Sequence, residues 1–403
     1  MIISKLRSEW PYISGRVAAL LSRPLMLLAL KHWGGNDLAA TVAVVFLVTM
    51  LASAVSGFDT HRGFYQAYFG DQRVKGLRPS YRLYCGATTL QVAVVSPSLA
   101  LFVLYRFGDP ALSVLVAVYF ASERLADEAQ RFLIFTGHRQ EWGGRIMAKA
   151  VLQLAGASVA AVLLGPGAAH LAVGSLLVGN FAAYGSKLPW RYLPAQWSDW
   201  KAGAAACLSQ RLFWLLSMVT SFISYLDRVV VMLFQQTDMA VYTLLVSSMS
   251  IVQNAVDYFF VSLRRREILQ GQLSLSGVFR NRRFYLTLGI AALAGCVASW
   301  VMLRLYHGPQ MDHLELVPIV LLSQTALSVT LVLREIIYWN HSVQRLVWLE
   351  GSFIACTLAA ASALRELGQS YEVVLGMISV FFTLRMGLMI WGISRANKQA
   401  RIT

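Results

Sequence analysis

Runs of about 20 apolar residues recur along the whole chain, separated by short polar connections, and each is long enough to cross a hydrocarbon layer of roughly 30 Å as a helix. The pattern predicts about twelve membrane-spanning helices. In the first half they cover 13–30, 38–57, 83–107, 111–131, 144–164 and 168–187; in the second, 207–234, 239–263, 284–305, 316–338, 343–364 and 371–393. Between the halves, SKLPWRYLPAQWSDWKAG combines two prolines, three tryptophans and three basic residues, a composition suited to an interfacial linker. The expected architecture is therefore an all-helical integral membrane protein. An N-terminal six-helix bundle occupies 1–187, a cytoplasmic linker 188–206 and a C-terminal six-helix bundle 207–403.

Polar positions inside the spans carry a second pattern. GGNDLAATVAVVFLVTMLASAV and QQTDMAVYTLLVSSMSIVQNAV superpose without gaps at an offset of 201, so that Asp37 matches Asp238 and Ala39 matches Ala240. In the first segment Thr49, Ser53 and Ser56 fall on one helical face, and their equivalents are Ser250, Asn254 and Asp257. Like stripes at equivalent positions predict two bundles of like orientation, related by an axis along the membrane normal, with polar surface facing a cavity.

Composition agrees with a membrane solvent: 57% of the residues are hydrophobic and 14% charged. The net charge of +15 raises nucleic acid as a partner, but the basic residues sit in connections and form no patch interleaved with aromatics, so nucleic acid is not expected. Arg62, Arg73, Lys75, Arg78 and Arg82 fill one connection and Arg264, Arg265, Arg266, Arg280, Arg282 and Arg283 another, whereas GPGAAH and QQTD carry little charge. The positive-inside rule then places both termini in the cytoplasm, with an uncleaved first helix. Cys85, Cys207, Cys296 and Cys356 stand singly and are expected to be packing residues.

No phosphate-binding glycine loop, HExxH or zinc-spaced Cys/His cluster occurs, so no catalytic residue, metal or cofactor is expected. The candidate chemistry is ionisable groups inside spans, each costing about 2.5–3.5 kcal/mol on insertion scales and so needing a partner, water or a function. Arg16 and Arg23 share a face of the first span, and Ser217, Ser221, Ser224 and Arg228 form a stripe on the seventh. These guanidinium groups suit a phosphate or diphosphate in a water-filled cavity, with Ser217, Ser221 and Asn254 as polar lining; for Arg16, snorkelling to headgroups competes. Asp227 and Asp257 are the candidates for proton or sodium coupling, with structural pairing as the other reading of Asp227. Lys149, Arg211 and Arg385 read as snorkelling cations, and Glu123, Arg124, Asp127, Glu128 and Arg131 as a cytoplasmic-side salt-bridge face.

The segments LMLLALKHWGGNDLAATVAVVFLVTMLASAV and SYLDRVVVMLFQQTDMAVYTLLVSSMS resemble the polysaccharide flippases of the multidrug/oligosaccharidyl-lipid/polysaccharide exporter (MOP) superfamily, in particular the O-antigen or Wzx type. The resemblance covers most of the chain. It implies two six-helix bundles around a V-shaped cavity in a bacterial inner membrane. It also implies ion-coupled alternating access that moves undecaprenyl-diphosphate-linked oligosaccharide from the cytoplasmic to the periplasmic leaflet. Cationic cavity residues that meet the diphosphate would be Arg23 and Arg228, with Arg16 beside them. Lipid-linked oligosaccharide, membrane lipid, H+ or Na+, and polysaccharide polymerase and chain-length proteins are the implied partners, and a monomer is expected because one chain already holds both bundles.

Three other readings stay open. A drug or cation exporter of the same fold would favour an acidic or apolar cavity. A membrane polymerase or transferase of glycan assembly would need a larger extramembrane loop than any here. A non-transporting scaffold would tolerate loss of the buried arginines.

Overall fold

A computed structural model of the chain describes residues 2–56, 77–135, 138–187, 196–209, 211–262, 275–308, 313–340 and 343–399. Arg62, Arg73, Lys75, Arg264, Arg265, Arg266 and the first part of the expected linker, 188–195, lie outside them. Among the described residues there is no strand. The α-helices are α1 (Ile2–Gly34), α2 (Asn36–Val55), α3 (Leu77–Phe107), α4 (Pro110–Phe135), α5 (Arg139–Leu164), α6 (Ala169–Tyr184), α7 (Trp197–Ser209) and α8 (Arg211–Phe234). They continue with α9 (Met239–Val256), α10 (Leu275–Phe279), α11 (Arg282–His307), α12 (Leu316–Asn340), α13 (Val343–Glu366) and α14 (Tyr371–Gln399). A π-helical turn, Asp257–Ser262, extends α9.

Ten of the described segments are long and apolar enough to cross a membrane, which makes this a multi-pass membrane protein. One of them, Gln140–Lys187, contains both α5 and α6. Helix α4, expected as a span, is not among the ten, because Glu123, Arg124, Asp127, Glu128 and Arg131 crowd its second half.

The chain divides into two compact units, Met1–Tyr225 and Leu226–Thr403, so the division falls inside α8 and not in the 188–206 linker expected from composition. Much of that linker is helical instead. Helix α7 runs from Trp197 to Ser209 and takes in residues 207–209, which the sequence pattern assigned to the next span. It packs along α3, where Gly203 is needed: a Cβ there would stand 3.0 Å from the backbone nitrogen of Ala87.

In the N-terminal unit α1 packs most extensively along α5. Small residues permit the approach, as they do between membrane helices generally. A Cβ on Gly15 would lie 2.6 Å from Ile146 Cγ2, and one on Gly143 would collide with the Pro11 carbonyl oxygen. Next to this crossing the Tyr12 and Trp142 rings meet at 4.7 Å between centroids. Helices α4, α5 and α6 pack around a buried polar network. Gln153 Nε2 donates to Leu176 O at 2.8 Å and to Asn180 Oδ1 at 3.2 Å, while Asn180 Nδ2 donates to Ser122 Oγ at 2.9 Å. Such bonds satisfy groups that lipid cannot. Helix α4 starts on Asp109, whose Oδ1 accepts the Leu112 N–H at 2.9 Å and whose Oδ2 meets His170 Nε2 at 2.9 Å. The Leu112 bond, and then His170, hold this carboxyl below the usual carboxylate range.

In the C-terminal unit α9 packs on α11 and α12, and α12 on α14. Gly295 lets α11 approach α9, since a Cβ there would sit 3.0 Å from Met249 Sδ. Ser323 and Ser379 join α12 to α14 through a 2.6 Å hydroxyl pair.

The α1–α5 crossing yields a direct test. Gly143→Ala places its methyl against the Pro11 backbone, which cannot rotate away, and is expected to destabilise the protein by about 1–3 kcal/mol. Gly144→Ala, whose methyl would meet nothing within 4 Å, is expected to be neutral or slightly stabilising. Thermal unfolding of the two variants in detergent micelles measures the contrast.

Candidate functional site

In the N-terminal unit α1, α2, α4 and the first part of α8 enclose a cavity of about 300 Å³. Its lining includes Arg23 from α1, Thr49 and Ser53 from α2, Glu123, Asp127 and Arg131 from α4, and Ser217, Ser221 and Tyr225 from α8.

Helical spacing explains each contribution. On α2, Phe46, Met50 and Ala54 recur every fourth residue, and Thr49 and Ser53, also four apart, run beside them on the cavity side. Tyr119, Glu123, Asp127 and Arg131 recur every fourth residue along α4, and Ser217, Ser221 and Tyr225 do so along α8. Trp214, one turn before Ser217, donates its indole N–H to Val55 O at 2.8 Å. That bond ties the start of α8 to the end of α2 and brings the two hydroxyl-bearing faces together.

Arg23 precedes Pro24, which has no N–H to give back along the helix. Its guanidinium lies 5.3 Å from the centroid of the Phe46 ring, and Nη1 stands 3.3 Å from Met50 Sδ. These neighbours are neutral. Among the described residues no carboxylate comes within ion-pair distance of Arg23. The other cation in the lining, Arg131, donates from Nη1 to Glu128 Oε1 at 3.3 Å.

The two lining carboxylates differ. Glu123 is buried and takes both oxygens to Lys149 Nζ, at 2.7 and 2.8 Å. Asp127, one turn further along, is half-buried and has no cation at ion-pair distance among the described residues. Arg124 and Glu128 form a neighbouring buried ion pair. The expected cytoplasmic salt-bridge face on α4 is thus corrected. Only part of it pairs internally, while Glu123, Asp127 and Arg131 face the cavity. Lys149 does not snorkel, because its ammonium is consumed by Glu123.

The other sequence candidates lie apart from this lining. Arg16 is half-buried with its guanidinium carbon 5.1 Å from the Tyr12 ring centroid. Arg228 belongs to the C-terminal unit. Asp227 is fully buried, accepting the Tyr242 hydroxyl at 2.9 Å and the Arg228 backbone N–H at 2.8 Å. Asn254 is exposed and donates to Ser250 O, and Asp257 is half-buried where α9 passes into its π-helical turn. Ser224, expected on the stripe of Ser217 and Ser221, turns back to Thr220 O at 3.0 Å. Arg385, read as snorkelling, is buried against Glu350 through bonds of 2.6 and 2.5 Å. Among the described residues no three His, Cys, Asp or Glu side chains are grouped to hold a metal ion.

No family model matches this chain, and no curated protein does. Solved structures do. An inward-facing multidrug-resistance MATE transporter of the MOP superfamily aligns with a TM-score of 0.56 at 13% identity, over 96% of this chain and 99% of its own. An outward-facing one gives 0.51 at 11% identity, over 98% and 97%. The fold is that of the MOP-superfamily transporters. A third MOP-fold structure, from Pyrococcus furiosus, aligns with a TM-score of 0.51 at 12% identity over 97% of this chain and 94% of its own. Its binding pocket is described as reversed in polarity, suggesting a different function. Identities this low establish the MOP fold and leave function to the site.

The Glu123–Lys149 pair at the cavity wall gives the second test. Lys149→Met removes the ion-pair partner of the buried Glu123 and is expected to cost on the order of 3 kcal/mol. Glu123→Gln combined with Lys149→Met removes both charges and is expected to recover most of that loss, as read from unfolding midpoints in micelles.

Proposed function

We propose that this chain is a bacterial inner-membrane flippase that carries undecaprenyl-diphosphate-linked oligosaccharide from the cytoplasmic to the periplasmic leaflet by ion-coupled alternating access. In this reading about twelve spans form two bundles with both termini cytoplasmic, and the protein is a transporter and not an enzyme. The observation that carries it is Arg23. A guanidinium with no carboxylate partner among the described residues, held over a cavity rich in hydroxyls, is suited to a phosphate oxygen. Thr49, Ser53, Ser217, Ser221 and Tyr225 supply donors and acceptors of the kind sugar hydroxyls need. Arg16 and Arg228 remain secondary phosphate candidates, Asn254 a polar contact, and Asp227 and Asp257 candidates for coupling to H+ or Na+. Polymerase and chain-length proteins are the proposed partners downstream.

The MOP fold by itself fits a second reading, a MATE-like exporter of organic cations. Asp127 is the feature that favours it, since a carboxylate with no ion-paired cation among the described residues would attract a cationic drug. The Pyrococcus furiosus relative, with its pocket of reversed polarity, supports treating cavity charge and not fold as the discriminator.

The experiment follows the lipid-linked substrate in cells lacking the protein and complemented with wild type, Arg23→Gln or Arg228→Gln. Complete units are expected to accumulate on the cytoplasmic leaflet without the protein, to clear with wild type, and to persist with stably expressed Arg23→Gln. Complete units reaching the periplasm in the deletion strain would sink the flippase reading. Loss of cation efflux in that strain would then favour the exporter.

A further inference from the structure

Four charged side chains line the cavity of the N-terminal unit, and among the described residues two of them have an ion-pair partner. Glu123 has Lys149 at 2.7 Å, and Arg131 has Glu128 at 3.3 Å. Arg23 meets a sulfur and a ring, and Asp127 meets no cation at ion-pair distance among the described residues; nor do these two form an ion pair with each other. The space they flank, about 300 Å³, is at the lower end of ligand pockets and suits a single substituted sugar ring.

We propose that the head group bound here is zwitterionic, an amino-sugar phosphate or similar group whose phosphate sits on Arg23 and whose ammonium sits on Asp127. The inference rests on the phosphate role proposed above for Arg23 and adds a second, opposite contact.

Charge complementarity singles out this ligand class. A purely anionic head would satisfy Arg23 and be repelled by Asp127, and a purely cationic one would face the reverse. A neutral sugar would give neither residue an opposite charge at contact distance while displacing water from both, a penalty that its binding would carry and that of a zwitterion would not. Only a head bearing both signs answers both residues. The selectivity is built from repulsion as much as attraction, because each charge rejects the single-sign relative that its opposite would accept. The hydroxyls of Thr49, Ser53, Ser217 and Ser221 are left for the ring.

The test uses the purified full-length protein in micelles and three probes: glucosamine 6-phosphate, glucose 6-phosphate and glucosamine, with binding read by calorimetry. Wild type is expected to bind glucosamine 6-phosphate about tenfold or more tightly than either relative, since each lost charge contact is worth a comparable factor. In Asp127→Asn the advantage of the amine should vanish while glucose 6-phosphate binds as well as before or better. In Arg23→Gln the advantage of the phosphate should vanish. Asp127→Asn keeps the side-chain shape, and the wild-type ranking is informative without any variant. Equal binding of the two phosphates by wild type, or an amine preference that survives Asp127→Asn, overturns the zwitterion proposal and leaves the phosphate role of Arg23 intact. If wild type prefers no phosphate probe, or binds none of the three, both the zwitterion proposal and that role are overturned.

Discussion

A charge inside a hydrocarbon layer must be answered by an opposite charge, by hydrogen bonds or by water in a cavity, and this constraint organises both units of the protein. In the C-terminal unit the answer is internal. Arg385 is bonded twice by Glu350, and Asp227 is held by the Tyr242 hydroxyl and a backbone N–H. Such groups are spent on holding helices together. In the N-terminal unit the same principle applies to Lys149 and Glu123, and to Arg124, Arg131 and Glu128, but not to every charge that lines the cavity. There, among the described residues, neither Arg23 nor Asp127 has an oppositely charged group at ion-pair distance. Pairing, more than number, distinguishes the ionisable groups that hold helices together from Arg23 and Asp127 at the cavity.

The helical membrane architecture was legible because apolar run length is a one-dimensional signal that survives without any knowledge of packing. Parts of the site were legible for a related reason. Thr49 and Ser53 fall on one face of α2, and Ser217 and Ser221 on one face of α8, and both pairs line the cavity. Arg23 stood out because a deep arginine needs a reason. The α4 row was legible only in part: its five charges near a span end read as a cytoplasmic-side salt-bridge face, and Arg124, Glu128 and Arg131 do pair, but Glu123, Asp127 and Arg131 line the cavity. The overlooked signal was its continuation to Tyr119, one turn deeper in the apolar part, at the same four-residue spacing. For Lys149 and Arg385 the reason is different. Their partners, Glu123 and Glu350, lie 26 and 35 residues away on other helices, and nothing in the local pattern announces such pairs.

Division of the chain inside α8 was also hidden from composition. Prolines and tryptophans around 188–206 looked like a boundary, and part of that segment instead forms α7 and packs on α3. A boundary read from composition reports where the chain leaves the apolar phase, whereas a compact unit is defined by packing. The two need not coincide when a helix such as α8 gives its first half to one unit and its second to the next.

Packing and site chemistry in the N-terminal unit are consequently one problem. Arg23 is carried by α1, and the position of α1 is set by the close crossing on α5 at Gly15 and Gly143, where the two backbones approach closely. Helix α5 also carries Lys149, which fixes Glu123 on α4 and so the turn that presents Asp127 one step further along. A single helix, α5, therefore sets the cation side of the cavity through glycine packing and the anion side through an ion pair. Any movement of α5 relative to α1 or α4 would change the spacing between Arg23 and Asp127. A head group that bridges those two charges is sensitive to that spacing, so the helix that holds the bundle together is also the element through which a bound ligand would be felt by the fold.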